Sequence, residues 1–188
     1  MAAAQCISSP VKPTLSHRET IEEAAENIRT LVHDITTGTI ASVFPHESEH
    51  ADAPCDSPTS LTFLLLPISL STHNILSSPS HYATYTVQMS SDVKSPMSRG
   101  RVAFIGNMTL LSHPTPDEDA RLSKCYTSYH PDAKSWLPST PDAPHFSVWA
   151  RFDIEDIYYV GGFGDVHYIG HVPVELYAGK KQGFQIQA

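Results

Sequence analysis

The chain has 188 residues, the length of one ordinary domain, and 40% of them are hydrophobic. Its formal net charge is −8 and its longest basic run is the pair Lys180 and Lys181, which excludes the basic surface that nucleic acids need. No stretch of about 18 apolar residues occurs, so we expect neither a membrane-spanning helix nor a membrane partner. We expect residues 1–16 to be flexible and residues 17–188 to form a single domain.

The three cysteines, Cys6, Cys55 and Cys125, are far apart along the chain. They form neither a C-x-x-C pair nor the even-numbered set that is typical of a disulfide framework. We therefore expect free thiols in a reducing compartment. The start of the chain has no apolar run of signal-peptide length, which predicts a cytoplasmic protein unless a leader has been removed.

A helix is the first predicted element, over about residues 17–34. Ser16 or Thr20 can cap its start, and Glu19 follows Ser16 in the register of a capping box. Apolar residues then recur with helical spacing over residues 21–32. The helix is therefore amphipathic and has one face to bury.

Short strands dominate the middle of the chain. "TTGTIASVF" predicts a strand, and the acidic, histidine-rich stretch after it predicts a solvated loop leading to a buried strand over residues 61–66. "SLSTHNILSSPS" predicts a turn and a short helix, and "HYATYTVQM" alternates as a strand. "GRVAFIGNMTLLS" predicts a long strand with a bulge or bend at Gly106.

A second helix is predicted to begin at Pro116 and to continue through "HPDAKSWL". The segment "HFSVWARFDIEDIYYVGGFGDVHYIGHVPVEL" then predicts two or three strands, with a glycine corner at "VGGFG". Strands outnumber helices and do not alternate with them strictly. This order favours a mainly β protein, an antiparallel barrel with flanking helices.

Four stretches together resemble the FMN-binding split barrel of pyridoxamine 5′-phosphate oxidase-like proteins, and in particular its CREG-like branch. They are "GTIASV", "FLLLPISLSTHNILSSPSHYATYTV", "RVAFIGNMTLL", and "YTSYHPDAKSW" with "FSVWARFDIEDIYYVGGFG". "HPDAKSW" and "SLSTHN" are most similar to CREG-type proteins, whereas "VGGFGD" is more similar to HugZ-type haem-utilisation proteins. The likeness covers roughly residues 20–177.

The resemblance implies a split β-barrel that forms a homodimer with itself. It also implies that FMN, where it is bound, lies in a groove at the dimer interface. CREG-type proteins of this kind lack the flavin because the groove is filled, and HugZ-type proteins open haem.

The first candidate cofactor-binding residues are Ser69, Ser71, Thr72, His73 and Asn74, at the start of the predicted short helix. Hydroxyls and backbone N–H groups converge at such a helix start and can hold a flavin phosphate. The alternative is that Ser71 or Thr72 only caps the helix and that Asn74 only forms a turn.

The second group of candidate cofactor-binding residues is Arg101, Phe163 and Gly164. A guanidinium at the start of the Arg101 strand can clamp a phosphate, although an exposed charge at a strand edge is the alternative. The glycines of the corner allow a sharp turn and a close approach to a flat ligand, with Phe163 stacking on it. The alternative is a plain barrel corner with Phe163 in the core.

Eleven histidines invite a metal or haem hypothesis, and His167 and His171 would share one face of a strand. Without cysteine or carboxylate ligands at metal-binding spacing, we expect no metal site. No nucleotide-binding, hydrolase or metalloprotease motif occurs, so the sequence identifies no catalytic residue.

The leading functional hypothesis is an FMN-dependent oxidoreductase that acts on a small organic molecule. The alternative is a catalytically silent, CREG-like binding or regulatory dimer whose flavin groove is filled by its own side chains. A third hypothesis, haem binding or degradation, rests on the histidines and on the likeness of "GGFG" to HugZ-type proteins.

Overall fold

The computed structural model describes residues 17–41, 48–90 and 95–179, so the predicted flexible segment and Cys6 lie outside the described residues. In chain order the elements are α1 (Ile21–Asp34), β1 (Thr37–Ala41), β2 (Ser48–Ala53), β3 (Ser60–Leu65), α2 (Leu70–Ser77), β4 (Tyr82–Gln88), a 3₁₀ helix (Pro96–Ser98), β5 (Arg101–Leu111), α3 (Pro116–Tyr129), a second 3₁₀ helix (Pro131–Trp136), β6 (Val148–Val160), β7 (Ile169–His171) and α4 (Val174–Tyr177).

The strands form one antiparallel sheet in the order β3-β2-β1-β4-β5-β6-β7, and β3 also pairs with β6. This extra pairing closes the first six strands into a barrel. The long strand β6 makes the closure possible because its first half pairs with β3, where Leu65 faces Val148. Its second half pairs with β7, where Tyr158 faces His171. The predicted mainly β, antiparallel barrel is confirmed, whereas the homodimer stays a prediction.

Inward-facing side chains fill the barrel. Along β4, Ala83, Tyr85 and Val87 are buried while their neighbours are more exposed, as expected for a strand with one face in a core. The ring of Phe63 meets that of Tyr85 edge-on at 5.0 Å between centroids. The apolar face of α1 packs against this same core. Its buried residues are Ala24, Ala25, Ile28, Leu31 and Val32.

A second, smaller cluster lies outside the barrel, beneath α3. Trp149 is fully buried there, and its indole Nε1 donates a hydrogen bond to Asp119 Oδ1 at 2.7 Å. Cys55 and Cys125 form a disulfide in this cluster, with their Cα atoms 5.7 Å apart. The expectation of free thiols is therefore wrong for these two residues. They are 70 residues apart, and only the packing of α3 against the sheet brings them together.

Several element boundaries differ from the prediction. Thr20, with Glu23, forms the capping box of α1, whereas Ser16 lies outside the described residues. β2 replaces part of the predicted loop, because its polar sequence is held in strand form by pairing with β1 and β3. α3 ends at Tyr129, since Pro131 follows and the residue before a proline avoids helical geometry.

The predicted irregularity at Gly106 is confirmed. The pairing of β5 with β6 shifts its register between Ile105 and Gly106. A Cβ at Gly106 would collide with the carbonyl oxygen of Asp153, so the close approach of the two strands requires glycine.

Candidate functional site

The first candidate group lies at the start of α2. Ser69 is the N-cap residue, but its side chain makes no capping hydrogen bond and instead lies 2.7 Å from the hydroxyl of Ser71. Ser71 and Thr72 lie inside α2, so the alternative that either of them caps the helix is not supported. By contrast, Thr20 and Thr115 cap α1 and α3 with complete capping boxes. The first backbone N–H groups of α2 thus have no side-chain acceptor of this kind.

The first turns of α2 also contain two buried polar atoms. Thr72 is fully buried, and neither its Oγ1 nor the Nδ2 of Asn74 has a hydrogen-bond partner among the described residues. Buried polar groups are nearly always paired, so two such atoms within one helical turn mark a place where a partner is missing. His73, between them, points to the surface.

Arg101 begins β5, where it pairs with Gln88 of β4 and Val160 of β6. The residue is half-buried, and within the described ranges its guanidinium makes no hydrogen bond or ion pair. A cation in this state is available to an anionic ligand.

The glycine corner, residues 161–168, follows β6 directly. The N–H of Gly161 donates to the carbonyl of Tyr168 at 2.9 Å, and Gly162 has a φ of +154°, which L-residues rarely adopt. Phe163 is 52% exposed, so the alternative that places its ring in the core is excluded. Gly164 is exposed beside it. The corner therefore presents one aromatic face to the outside.

The group that approaches the backbone of the corner glycines is not a ligand but the side chain of Glu19. A Cβ on Gly161 would lie only 2.5 Å from Glu19 Oε2. This carboxylate accepts hydrogen bonds from Tyr168 N at 2.7 Å and from Asn27 Nδ2 at 2.6 Å, and its side chain is only 8% exposed. No sequence pattern points to this role, because Glu19 stands in the register of a capping box with Ser16.

His167 and His171 do not share a strand face, contrary to the expectation, because β7 begins only at Ile169. His167 lies in the corner, where its Nδ1 is 3.5 Å from Glu19 Oε2. His171 lies in β7, and its Nδ1 is 2.9 Å from Asp156 Oδ1. In the part of the chain that the structure describes, no group of three or more His, Cys, Asp or Glu side chains is placed to hold a metal ion.

The structure does not bring the two candidate groups together within one chain. β3 leads toward α2, and its last residue Leu65 pairs with Val148, the first residue of β6. Arg101 pairs with Val160, the last residue of β6, and the glycine corner follows. At about 3.3 Å per residue, twelve steps of strand separate these points by up to roughly 40 Å. The groups lie at opposite ends of β6.

Exposed apolar side chains accompany both groups. Ile68 and Leu70 flank Ser69 and are 74% and 59% exposed. At the other end, Phe163 and Ile169 are 52% and 45% exposed. Large apolar side chains that are exposed to water beside both candidate groups are typical of surfaces that another molecule covers.

Residues 19–179 match the profile of the family described as CREG, beta-barrel. No curated protein sequence matches the chain significantly. None of the described helices has both the length and the hydropathy that crossing a membrane requires.

Solved structures with the same fold include a heme binding protein from Mycobacterium smegmatis, at 22% identity and a TM-score of 0.66. The alignment covers 86% of this chain but only 61% of the mycobacterial chain. A putative pyridoxamine 5′-phosphate oxidase from Listeria innocua aligns at 16% identity and a TM-score of 0.51, over 73% of this chain and 98% of its own. A FAD-binding protein from Mesorhizobium loti aligns at 14% identity and a TM-score of 0.53. The alignment covers 71% of this chain and 89% of the Mesorhizobium chain. The predicted membership of the split-barrel superfamily is confirmed.

Proposed function

Because the chain belongs to the CREG β-barrel family, we propose that it works as a homodimer that binds FMN in two equivalent grooves between its subunits. Each groove combines the start of α2 from one subunit with Arg101 and the glycine corner of the other. The observation that carries the proposal is the position of these two groups at opposite ends of β6. One chain cannot join them, but a twofold axis can place the α2 end of one subunit against the corner end of its partner, twice.

The exposed apolar side chains support this arrangement. In a twofold dimer, Ile68 and Leu70 of one subunit would pack against Phe163 and Ile169 of the other. Between the two ends, the outer face of the barrel carries Tyr82 and Tyr158. They are 41% and 39% exposed, and they extend the apolar surface that a partner would cover.

The residues at the start of α2 fit a phosphate group. Its N–H groups have no side-chain cap, and the hydroxyl of Ser69 is half-exposed there. The unpartnered Thr72 Oγ1 and Asn74 Nδ2 would each gain an acceptor if a phosphate approached and the local backbone adjusted. α2 itself carries no Lys or Arg, so the positive charge would come from Arg101 of the partner subunit.

When bound, FMN supplies the hydride transfer, and the protein supplies position and electrostatics. In this proposal the exposed ring of Phe163 would stack on the flavin, and Arg101 would hold an anionic group. The substrate would be a small organic molecule that enters the same groove. Oxidoreductase activity in this proposal depends on FMN, so binding of FMN is its first requirement.

Haem is the second candidate ligand, and one contact favours it. His167 is held with Nδ1 3.5 Å from the buried carboxylate of Glu19, and its side chain is 46% exposed. Histidines that bind metals commonly donate their other ring nitrogen to a carboxylate, and the carboxylate of Glu19 lies close enough to His167 Nδ1 to take that role after a small shift. This arrangement would leave Nε2 of His167 as the iron ligand.

Both candidates are tested by absorbance of the full chain after incubation with FMN or haemin and gel filtration, with light scattering to give the mass. We expect a dimer that retains flavin and loses it in Asn74→Ala and Arg101→Ala, but not in the exposed control Arg18→Ala. A Soret band that His167→Ala abolishes and His171→Ala preserves would favour haem. A colourless dimer would overturn both cofactor proposals in favour of the silent CREG-like dimer, and a monomer would overturn the shared groove.

A further inference from the structure

A cavity of about 360 Å³ lies between α1 and the glycine corner, and Gly161 and His167 of the corner are among its lining residues. Its apolar wall is formed by Leu31, Ile35, Met89 and Tyr159. The volume falls in the lower part of the range, roughly 300–1,000 Å³, that small-molecule sites occupy. The cavity belongs to a single chain and needs no partner subunit.

The floor of this cavity holds a polar group that has no partner among the described residues. Tyr159 is only 4% exposed, and its hydroxyl makes no hydrogen bond to any residue of the described ranges. The hydroxyl lies beside Gly100, where an added Cβ would come within 3.6 Å of it. A phenol that is buried without a partner and borders an open cavity is placed to bind whatever fills that cavity.

Small residues and one helix face form the rest of the cavity wall. Gly100 and Gly161 are both buried and contribute no side chain to its wall. On α1, Thr30 and Asp34 lie four residues apart on one face of the helix and form its polar rim. Met89 is 45% exposed and flexible, which suits a wall that adapts to a ligand.

We propose that this cavity is a binding site for a small, uncharged, mainly apolar molecule that carries a carbonyl group. The Tyr159 hydroxyl donates a hydrogen bond to the carbonyl oxygen, and Leu31 and Ile35 cover the apolar part. Asp34 at the rim and the absence of Lys or Arg from the described lining exclude an anion such as FMN from this site. The site therefore differs from the FMN groove in the charge of its ligand, and it lies on the α1 side of the glycine corner that the two share.

Burial of the phenol makes it a constant donor. Burial and, secondarily, the charge of Glu19 raise the pKa of Tyr159 to about 12, so the hydroxyl keeps its proton at physiological pH. An acceptor on the ligand therefore meets a donor whatever the surrounding pH between about 5 and 9.

The test uses prodan, an uncharged aromatic ketone whose emission moves to shorter wavelength in apolar surroundings. Titration of the full chain should give a saturable blue shift at one site per chain, with a dissociation constant of about 0.1 mM or tighter. Tyr159→Phe should weaken binding about five- to tenfold, because it removes one hydrogen bond and keeps the ring. Tyr129→Phe, on α3 and outside the lining, is the matched control and should bind as the wild type does.

A second variant closes the cavity from the surface. Thr30 is exposed on α1, so Thr30→Trp should fill the cavity without disturbing the core and should abolish the blue shift. Glu22→Trp, at an exposed position outside the lining, is the control and should leave the blue shift unchanged. No saturable binding by the wild type, or equal binding by Tyr159→Phe, overturns the proposal. Undiminished binding by Thr30→Trp overturns it too, because prodan would then lie elsewhere. Retention of FMN by Thr30→Trp would show independently that the two sites are separate.

Discussion

The carboxylate of Glu19 accepts a hydrogen bond from the backbone N–H of Tyr168 at 2.7 Å, although the two residues lie 149 positions apart. The other carboxylate oxygen accepts from Asn27 on α1. The backbone adds a third link, since Glu19 N donates to the carbonyl of Val166 at 2.8 Å. Together these bonds fasten the glycine corner to the start of α1 and hold one wall of the cavity beside Tyr159.

Replacing Glu19 should therefore loosen the corner. Glu19→Ala leaves the N–H of Tyr168 without its acceptor, and we expect a loss of about 2 kcal/mol in unfolding free energy, as for a hydrogen bond to a charged group. Hydrogen exchange over residues 161–168 should accelerate by about 30-fold if the corner opens locally by that amount. Glu26→Ala, whose side chain is 73% exposed on the same helix, is the control. Unchanged exchange in Glu19→Ala would show that the backbone link alone holds the corner.

The disulfide between Cys55 and Cys125 should be visible chemically. In the unreduced, denatured protein iodoacetamide should label only Cys6, and after reduction it should label all three cysteines. Cys125→Ser should lower the unfolding free energy by up to about 4 kcal/mol, the chain-entropy value for a loop of this length. Cys6→Ser is the control and should leave stability unchanged.

Labelling of three cysteines without reduction would contradict the disulfide. The same count bears on where the protein resides, because such bonds persist in oxidising surroundings. The cytoplasmic location inferred from the sequence stays a prediction until the thiols have been counted.

Tyr159 should make the protein sensitive to alkaline pH. Its pKa is about 12 in the folded chain, against about 10 for an unperturbed tyrosine. The stabilising effect of the protonated phenol is complete below pH 10 and is lost as pH rises through 12, because the unfolded chain releases the proton first. The unfolding free energy should fall by about 2 kcal/mol more over that interval in the wild type than in Tyr159→Phe.

Absorbance at 295 nm measures this ionisation directly. Burial and the nearby Glu155 also raise the pKa of Tyr82, so the difference between the wild type and Tyr159→Phe isolates the group of interest. That difference should show one phenol ionising near pH 12. If Tyr158→Phe removes the late component instead, the assignment to Tyr159 is wrong.

The barrel could be predicted because its strands carry the signal themselves. Ala83, Tyr85 and Val87 alternate with more polar neighbours, and Gly106 marks the bulge where it was expected. β2 escaped prediction because "SEHADA" has no apolar alternation and is a strand only through its partners. Local pattern thus suffices for elements that bury their own residues.

The candidate site was less predictable because it depends on contacts between distant segments. The capping-box register of Glu19 suggested a local role, whereas the side chain actually bonds to Tyr168. His167 and His171 share a spacing but not a strand, since β7 begins only at Ile169. Tyr159 looked like any other buried strand residue, and only the packing of α1 shows that it borders a cavity.

The proposed dimer makes a prediction about both ends of β6. Leu70→Glu and Ile169→Glu should each convert the dimer to a monomer, because a twofold axis uses each position twice and every copy would bury an unpaired carboxylate. We expect the dissociation constant of the dimer to rise at least about 100-fold, measured by light scattering over a dilution series. Ala120→Glu, an exposed position on α3, adds the same charge away from both patches and should leave the dimer intact. If only one of the two variants dissociates the protein, the two ends of β6 do not meet across the interface. The FMN groove would then have to be formed by one end alone.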